Sequence, residues 1–317
     1  MQFAVNVPTS AGDSVHSQLA FCDEISWDAQ VEFAVAMENL GFDGVAVPDH
    51  VMTGSGPTTE CFVTLAAIAR ETEDVYLYPK TVNNHFRNPA LLAKQAATLD
   101  SVSDGRLKLG MGAGWKESEA RAYGYDWPDA PTRLRMLEES IRMLKRLWTE
   151  ETVSFDGDYY TLDEAMCRPH PVRDPHPPIM VGGGGESFTL RITAQFADSW
   201  NFWGPPEVMQ HKLDVLERHC EGYGRPFEEI ERSWFARCLL REDEAELDAL
   251  LDEHFPRFKP ENVADSEYPL VGTPEQVRER LETFDEMGFG EVVVEFVDFP
   301  ETTSAELFAE RVAPAFR

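Results

Sequence analysis

The run Leu99-Asp-Ser-Val-Ser-Asp-Gly-Arg-Leu-Lys-Leu-Gly-Met-Gly-Ala-Gly-Trp115 holds a helix end, a turn, a strand and a glycine-lined strand exit in succession. A helix ending near Ser101 stops at Ser103-Asp104-Gly105, where glycine supplies a backbone turn that a side-chained residue resists. From Arg106 to Met111, Leu107, Leu109 and Met111 alternate with Lys108 and Gly110, which is strand periodicity. Gly110, Gly112 and Gly114 follow the same alternation, with Trp115 behind them. Glycines at a strand exit let a flat ligand lie against backbone, with a Trp to wall its face; they also suit a tightly packed strand corner. The spacing alone supports both readings.

Outward from this run, the same strand and helix alternation fills the chain. Strands are predicted at Phe3–Val7, Asp43–Val47, Val75–Val82, Arg106–Met111, Ile179–Val181, Asp198–Phe202, Arg232–Leu240 and Glu291–Val297. Helices are predicted at Trp27–Leu40, Thr59–Thr72, Ala90–Ser101, Arg133–Trp148, Phe188–Phe196, Glu207–Gly222, Glu242–Leu251, Pro274–Met287 and Ser304–Ala313. Leu134, Leu137, Ile141, Leu144 and Trp148 give the strongest helical spacing, and Val153–Leu162 reads as a small hairpin. Eight strands separated by helices need parallel crossovers, so the predicted fold is α/β: a single (β/α)₈ TIM barrel over residues 1–317, with loop insertions. A doubly wound open sheet is the alternative.

Composition narrows the function. Fifty-seven acidic side chains face 28 basic ones, giving a formal charge of -29, a field that repels phosphate backbones and anionic lipid. Neither nucleic acid nor membrane is an expected partner. Only seven of the basic residues are Lys and the acids are spread along helices, which fits a halophilic protein; an acidic mesophile is the other reading. Five widely spaced cysteines with no C-x-x-C pair, no basic leader and no long apolar run suggest a cytoplasmic protein.

In a barrel of this kind, functional groups sit where strands end. Those ends carry Asp49-His50, Asn83-Asn84-His85, Gly112, Gly114 and Trp115, Gly182-Gly183-Gly184-Gly185, and Trp200-Asn-Phe-Trp203. The four glycines lead a strand into a helix, so free N–H groups and the Ser187 hydroxyl can cradle an anion; phosphate binding is read over a merely flexible turn. Glu186 suits a phosphate poorly and is expected to turn outward. A His at a strand end can exchange a proton with a substrate, while a capping Asp beside a structural His explains Asp49-His50 equally well. Trp200, Phe202 and Trp203 suit a flavin-sized wall or the barrel rim. His50, His85, His170 and His176 lack metal-ligand spacing, so no metal is expected. Arg168, His170, Arg173 and His176 form a basic island that either meets an anionic ligand tail or is a solvated loop.

Asn39-Leu-Gly-Phe-Asp-Gly-Val-Ala-Val-Pro-Asp-His50, Phe86-Arg-Asn-Pro-Ala-Leu-Leu-Ala-Lys-Gln-Ala-Ala-Thr-Leu-Asp100, Gly105–Trp115, Pro177-Pro-Ile-Met-Val-Gly-Gly-Gly-Gly185, Ala197-Asp-Ser-Trp-Asn201 and Gly272-Thr-Pro-Glu-Gln-Val277 occur in this order over most of the chain. Together they resemble the luciferase-like monooxygenase superfamily, and within it the coenzyme F420-dependent oxidoreductases. The resemblance implies a deazaflavin at the C-terminal ends of the strands and hydride transfer to or from a small organic substrate. It implies His50 and Asp49 as the catalytic pair and Gly182–Gly185 as the cofactor-phosphate loop; Asn83, Gly112, Gly114, Trp115 and Ser187, at the same strand ends, are the other expected cofactor contacts. It implies a non-prolyl cis bond after strand three, whose nearest counterpart is Pro79-Lys80, and a polyglutamate tail that the basic island would offset. The expected assembly is a homodimer. An FMN-dependent monooxygenase using reduced flavin and oxygen is the enzymatic alternative, and a flavin-binding barrel without turnover is the alternative of another class. Substrate choice is expected to lie in the loops Pro8–Ser26, Val51–Thr58 and Trp115–Pro131.

Overall fold

A computed structural model describes residues 1–10, 21–22, 24–53 and 56–317. Residues 11–20, 23, 54 and 55 lie outside it, so the loops expected over Pro8–Ser26 and Val51–Thr58 are only partly described. Twelve strands are seen among the described residues: β1 (Gln2–Asn6), β2 (Gly44–Val47), β3 (Tyr76–Pro79), β4 (Val82–Asn83), β5 (Leu109–Gly112), β6 (Val153–Asp156), β7 (Thr161–Ala165), β8 (Ile179–Gly182), β9 (Ser199–Phe202), β10 (Glu231–Leu240), β11 (Leu270–Gly272) and β12 (Glu291–Phe296). All but the β6–β7 hairpin belong to one parallel sheet, ordered β3-β2-β1-β12-β10-β9-β8-β5-β4, with β11 on β10. The Leu77 N–H donates to the Arg106 carbonyl and the Lys108 N–H to the Leu77 carbonyl, both at 2.9 Å. These bonds join β3 to the residues leading into β5, which closes the sheet as a (β/α)₈ TIM barrel and removes the open-sheet alternative.

Helix caps explain where the crossovers begin. Ser26 accepts from the Ala29 N–H, Asn88 from the Ala90 N–H ahead of Pro89, and Thr273 and Gln276 form a reciprocal capping box. The Ala130–Thr149 helix buries Leu137, Ile141, Leu144 and Trp148, whose indole N–H donates to the Ala93 carbonyl at 3.0 Å. Each large side chain so buried contributes roughly 1.5–3 kcal/mol.

Strand alternation sends the apolar residues outward to the helices and leaves a layered interior. Ala4, Ala46, Tyr78, Met180 and Val293 make a buried middle layer. Below it, Lys108 bridges Glu231 at 2.7 Å and Glu291 at 2.9 Å, and the Tyr76 hydroxyl donates to Glu291 at 2.5 Å. Above it, at the C-terminal mouth, come Asn6, Lys80, Arg237 and Glu295.

The predicted third strand is split: β3 and β4 flank a cis peptide between Lys80 and Thr81, one bond beyond the expected Pro79-Lys80. Strand β11 and the short Glu117–Ala122 helix were not anticipated.

Candidate active site

His50 and Asp49 follow β2, yet they face different partners. The His50 Nδ1 lies 2.8 Å from Glu119 Oε2, and the other Glu119 oxygen accepts from the N–H groups of Val51 at 2.5 Å and Met52 at 2.8 Å. Burial raises the Glu119 carboxyl, but the bonds from His50 and the two backbone N–H groups outweigh it, and its pKa falls below the ordinary value. This carboxylate holds Nδ1 and orients the ring. Trp115, 55% exposed, stands edge-on to His50 with ring centroids 5.9 Å apart.

Asp49 is buried in a bidentate ion pair with Arg87, at 2.6 and 2.8 Å, and accepts from the Asn83 N–H at 2.9 Å. Arg87 also reaches Glu60 at 2.5 Å. Burial works against the guanidinium's charge, and Asp49 overcomes it, raising the Arg87 pKa. The pair therefore ties the end of β2 to β4 and to the start of the Pro89–Val102 helix. Asn83 is itself a turn-former, its side chain accepting from the His85 N–H at 3.1 Å.

The strand-end glycines answer first to the protein's own packing. A Cβ at Gly112 would lie 2.8 Å from Thr81 Oγ1, and one at Gly182 would lie 2.6 Å from Thr81 Cγ2. Asn83 fills that space at Gly114 and the Phe202 ring fills it at Gly184. Thr81, just past the cis bond, thus sits between β5 and β8 and forms the floor of the mouth. Gly183 has φ +125°, and beyond Gly185 and Ser187 the Thr189–Phe196 helix begins with no side-chain cap at Phe188. Glu186 is turned outward, as expected, onto Lys212 at 2.5 Å and His211 at 3.0 Å. The turn and the exposed Ser187 therefore keep an uncapped helix start beside the barrel mouth.

Of the three aromatics on and just beyond β9, Trp200 is wholly buried and donates to the Gly183 carbonyl at 2.9 Å, so it belongs to the core. Trp203, 49% exposed, lines the mouth. The basic island is misplaced for a cofactor tail, because it precedes β8 and so lies at the opposite end of the barrel. There Arg168 pairs with Glu151, and the Val172 and Arg173 N–H groups donate to Asp100 at 2.7 and 3.1 Å. The histidines hold separate partners: His50 is on Glu119, His85 on the Asp126 carbonyl and His176 on the Pro177 carbonyl.

The interior supplies groups that sequence motifs did not mark. Asn6 Nδ2 donates to Glu295 at 2.7 Å, and Arg237 reaches Glu295 at 3.2 Å and Glu267 at 3.3 Å. Lys80 Nζ lies 3.4 Å over the Phe235 ring, and burial lowers its pKa to about 7 against the opposing pull of Glu295. A small recess joins His50, Asn6 and Glu295 with Pro8, Pro48 and Thr53. The buried Asn6 Oδ1 on this recess has no hydrogen-bond partner among the described residues. An orphaned acceptor, an oriented imidazole and an uncapped helix start at one barrel mouth fit a flat cofactor with an anionic tail.

The sequence signature of luciferase-like monooxygenases matches residues 1–270. The F420-dependent glucose-6-phosphate dehydrogenase of Nakamurella multipartita is 28% identical over 319 residues, covering 90% of this chain and 91% of the relative. The FMNH(2)-dependent dimethylsulfone monooxygenase of Pseudomonas putida is 27% identical over 356 residues, covering 100% of this chain and 95% of the relative. Among solved structures, an F420-dependent secondary alcohol dehydrogenase bound to an F420-acetone adduct superposes with a TM-score of 0.82 at 21% identity, covering 100% of this chain and 99% of that one. That similarity concerns the fold. The match to the family signature over most of the sequence settles membership: this chain belongs to the luciferase-like monooxygenase family.

Proposed function

We propose that this protein is a coenzyme F420-dependent oxidoreductase that moves a hydride between the deazaflavin and a small organic substrate. The observation that carries the reading is the His50–Glu119 pair on the recess at the barrel mouth. Each hydride exchanged with an alcohol or carbonyl carbon is matched by one proton leaving or joining oxygen, and a carboxylate-oriented imidazole holds that proton. When bound, the deazaflavin supplies the hydride acceptor or donor. Asp49 acts through the Arg87 ion pair as a positioning residue for the loop that carries His50. Gly183, Gly185 and Ser187, with the uncapped helix start, would hold the phosphate; Thr81 with Gly112 and Gly182 would support the ring; Trp115 would border it.

The FMN-dependent monooxygenase stands as the second reading because a relative of that activity aligns over the whole chain. The protein is further inferred to be cytoplasmic, halophilic and homodimeric. Cys61, Cys167, Cys220 and Cys238 are buried thiols without a disulfide, and exposed Val63 and Leu91 lie on neighbouring packed helices, where a second copy could cover them. No described helix is long and apolar enough to cross a membrane.

Absorbance titration with F420 and with FMN in high salt tests the assignment. Saturable binding of F420, with turnover that His50→Asn removes, is expected. Binding of FMN alone, with oxygen consumed only when the flavin is reduced, would replace it with the monooxygenase. Flavin binding with no turnover that depends on His50 would leave a binding barrel.

A further inference from the structure

Lys80 continues the inward-facing row of Tyr76 and Tyr78 one step beyond β3, and its side chain crosses the barrel. In the order β3-β2-β1-β12-β10, strand β10 lies opposite β3, and the Lys80 Nζ stands 3.4 Å over the Phe235 ring of β10. Phe235 packs on the middle layer of Ala4, Ala46, Tyr78, Met180 and Val293, so the amine rests on that layer at the foot of the mouth. Lys80 is half-buried, and among the described residues its amine meets the ring and no hydrogen-bond acceptor. The other six lysines differ. Lys94, Lys108, Lys116, Lys212 and Lys259 each hold a carbonyl or a carboxylate, and Lys145 lies outside the barrel on the Ala130–Thr149 helix.

Three charged groups bear on this amine: Glu295 and Glu291 from β12, and Arg237 from β10. Glu295 already accepts from Asn6 at 2.7 Å and pairs with Arg237 at 3.2 Å, while Glu291 holds Lys108 and Tyr76 a layer below. No carboxylate among the described residues forms an ion pair with Lys80, so burial and the like charge of Arg237 prevail and its pKa falls to about 7. Near neutral pH a large share of the protein therefore carries a lone pair on this nitrogen, where an ordinary lysine is almost wholly protonated. The surroundings also select what the nitrogen can bond. Addition to carbon dioxide would leave a carbamate anion beside Glu295 and against the negative face of the Phe235 ring. An imine nitrogen can take a proton again and keep a cation on that ring. The recess beside Phe235 and Arg237 has room for about one water, which favours a carbonyl carbon with a single small substituent.

We propose that Lys80 is a covalent capture site in the barrel mouth, where its amine condenses with small aldehydes to form an imine. The nitrogen lone pair bonds to the carbonyl carbon, and the carbonyl oxygen takes up a proton that the nitrogen loses. The resulting hydroxyl then leaves as water with the second nitrogen proton while the C=N bond forms. Nothing is oxidised or reduced, and hydrolysis reverses the step. The site is separate from the proton chemistry at His50 and does not depend on which cofactor the mouth holds.

The test treats the full-length, cofactor-free protein in high salt with acetaldehyde and sodium cyanoborohydride, which fixes imines as secondary amines, and reads each lysine by peptide mass spectrometry. With only seven lysines in the chain, every site can be followed. At pH 7 Lys80 should label at least about tenfold faster than each of the other six, because they are almost wholly protonated there. The ratio of Lys80 to Lys259 labelling cancels the reagent's own pH dependence. It should fall at least about tenfold between pH 7 and pH 9.5, as Lys259 gains neutral amine and Lys80 has little left to gain. The same ratio should fall when acetone replaces acetaldehyde, since a second substituent crowds the carbonyl carbon. Labelling of Lys80 no faster than of the other lysines, or a ratio that does not change with pH, would overturn the proposal. A ratio as high with acetone as with acetaldehyde would overturn the aldehyde class.

Discussion

His50 Nδ1 and Glu119 Oε2, 69 positions apart in the chain, meet at 2.8 Å because the Glu117–Ala122 helix folds over the end of β2. The same carboxylate accepts from the Val51 and Met52 N–H groups, so the bond holds the ring and the loop that carries it together.

His50→Asn keeps shape and some hydrogen bonding while removing proton transfer, and turnover should fall by roughly a hundredfold or more. Glu119→Gln should cost less, because the imidazole remains and loses only the carboxylate that orients it. Cofactor affinity should change little in either variant, as titration would check. Normal turnover in His50→Asn would pass the proton to another group. The lowered Glu119 pKa also stabilises the fold. That contribution is complete above its unfolded value of about 4.3 and is lost as pH falls through the lower folded one.

Asp49 and Arg87 predict a different signature. Removing one partner of a buried ion pair leaves an uncompensated charge and costs about 3–5 kcal/mol. Asp49→Asn should therefore lower the melting temperature and perturb activity through the displaced loop. Adding Arg87→Met should restore part of the stability. A variant with wild-type stability and abolished turnover would instead put Asp49 in the chemistry.

The barrel was legible in the sequence because strand and helix periodicities alternate along it and several helices carry caps, among them Ser26 before Trp27–Asn39 and the Thr273/Gln276 box before Pro274–Glu286. The site was legible only as far as local motifs reach. Asp49-His50 stood out at a strand end, but their partners, Arg87 and Glu119, come from other loops, and nothing in Lys116-Glu-Ser-Glu119 marks the second carboxylate as the buried one. The glycines were visible and their cause was not: Thr81 fills the space at Gly112 and Gly182, and only the fold brings them together. Lys108 shows the same limit. Its alternation with Leu107 and Leu109 marks a strand and leaves its partners unnamed; on the enclosed inner face of the barrel Lys108 pairs with Glu231 and Glu291.

The glycine turn calls for a gentler probe than valine. At Gly184 a side chain would strike the Phe202 ring, and at Gly183 the positive φ disfavours one, so valine at either position perturbs the fold as well as the cradle. Ser187→Asp, at an exposed position, adds a negative charge beside the helix start and leaves the packing alone. Affinity for the intact cofactor should drop at least about tenfold, since a like charge replaces a hydroxyl. The phosphate-free ring system should be unaffected. Equal losses for both would mean that the turn does not hold the phosphate.

The formal charge of -29 predicts that ionic strength stabilises the fold. The Debye length falls from about 10 Å at 0.1 M to about 3 Å at 1 M, which removes most repulsion between separate surface carboxylates. The melting temperature should climb steeply between dilute buffer and molar KCl, and a flat response would remove the high-salt reading.

Lys80 carries the clearest pH signature in the barrel mouth. Its ammonium lies over the Phe235 ring, and burial lowers its pKa to about 7, while Glu295 pulls upward without restoring the ordinary value. In the unfolded chain a lysine titrates near 10.4. Between pH 7 and about 10.4 the unfolded state therefore holds more protons at this residue than the folded state, and stability from this group rises with pH across that window. Below pH 7 both states are protonated and its penalty is constant. Lys80→Met keeps the length and apolar contact while removing the charge. Its advantage in melting temperature over wild type should be largest at pH 6.5 and shrink steadily toward pH 9.5. Two parallel curves over that range would show that Lys80 keeps an ordinary pKa and that the mouth is cationic under all assay conditions.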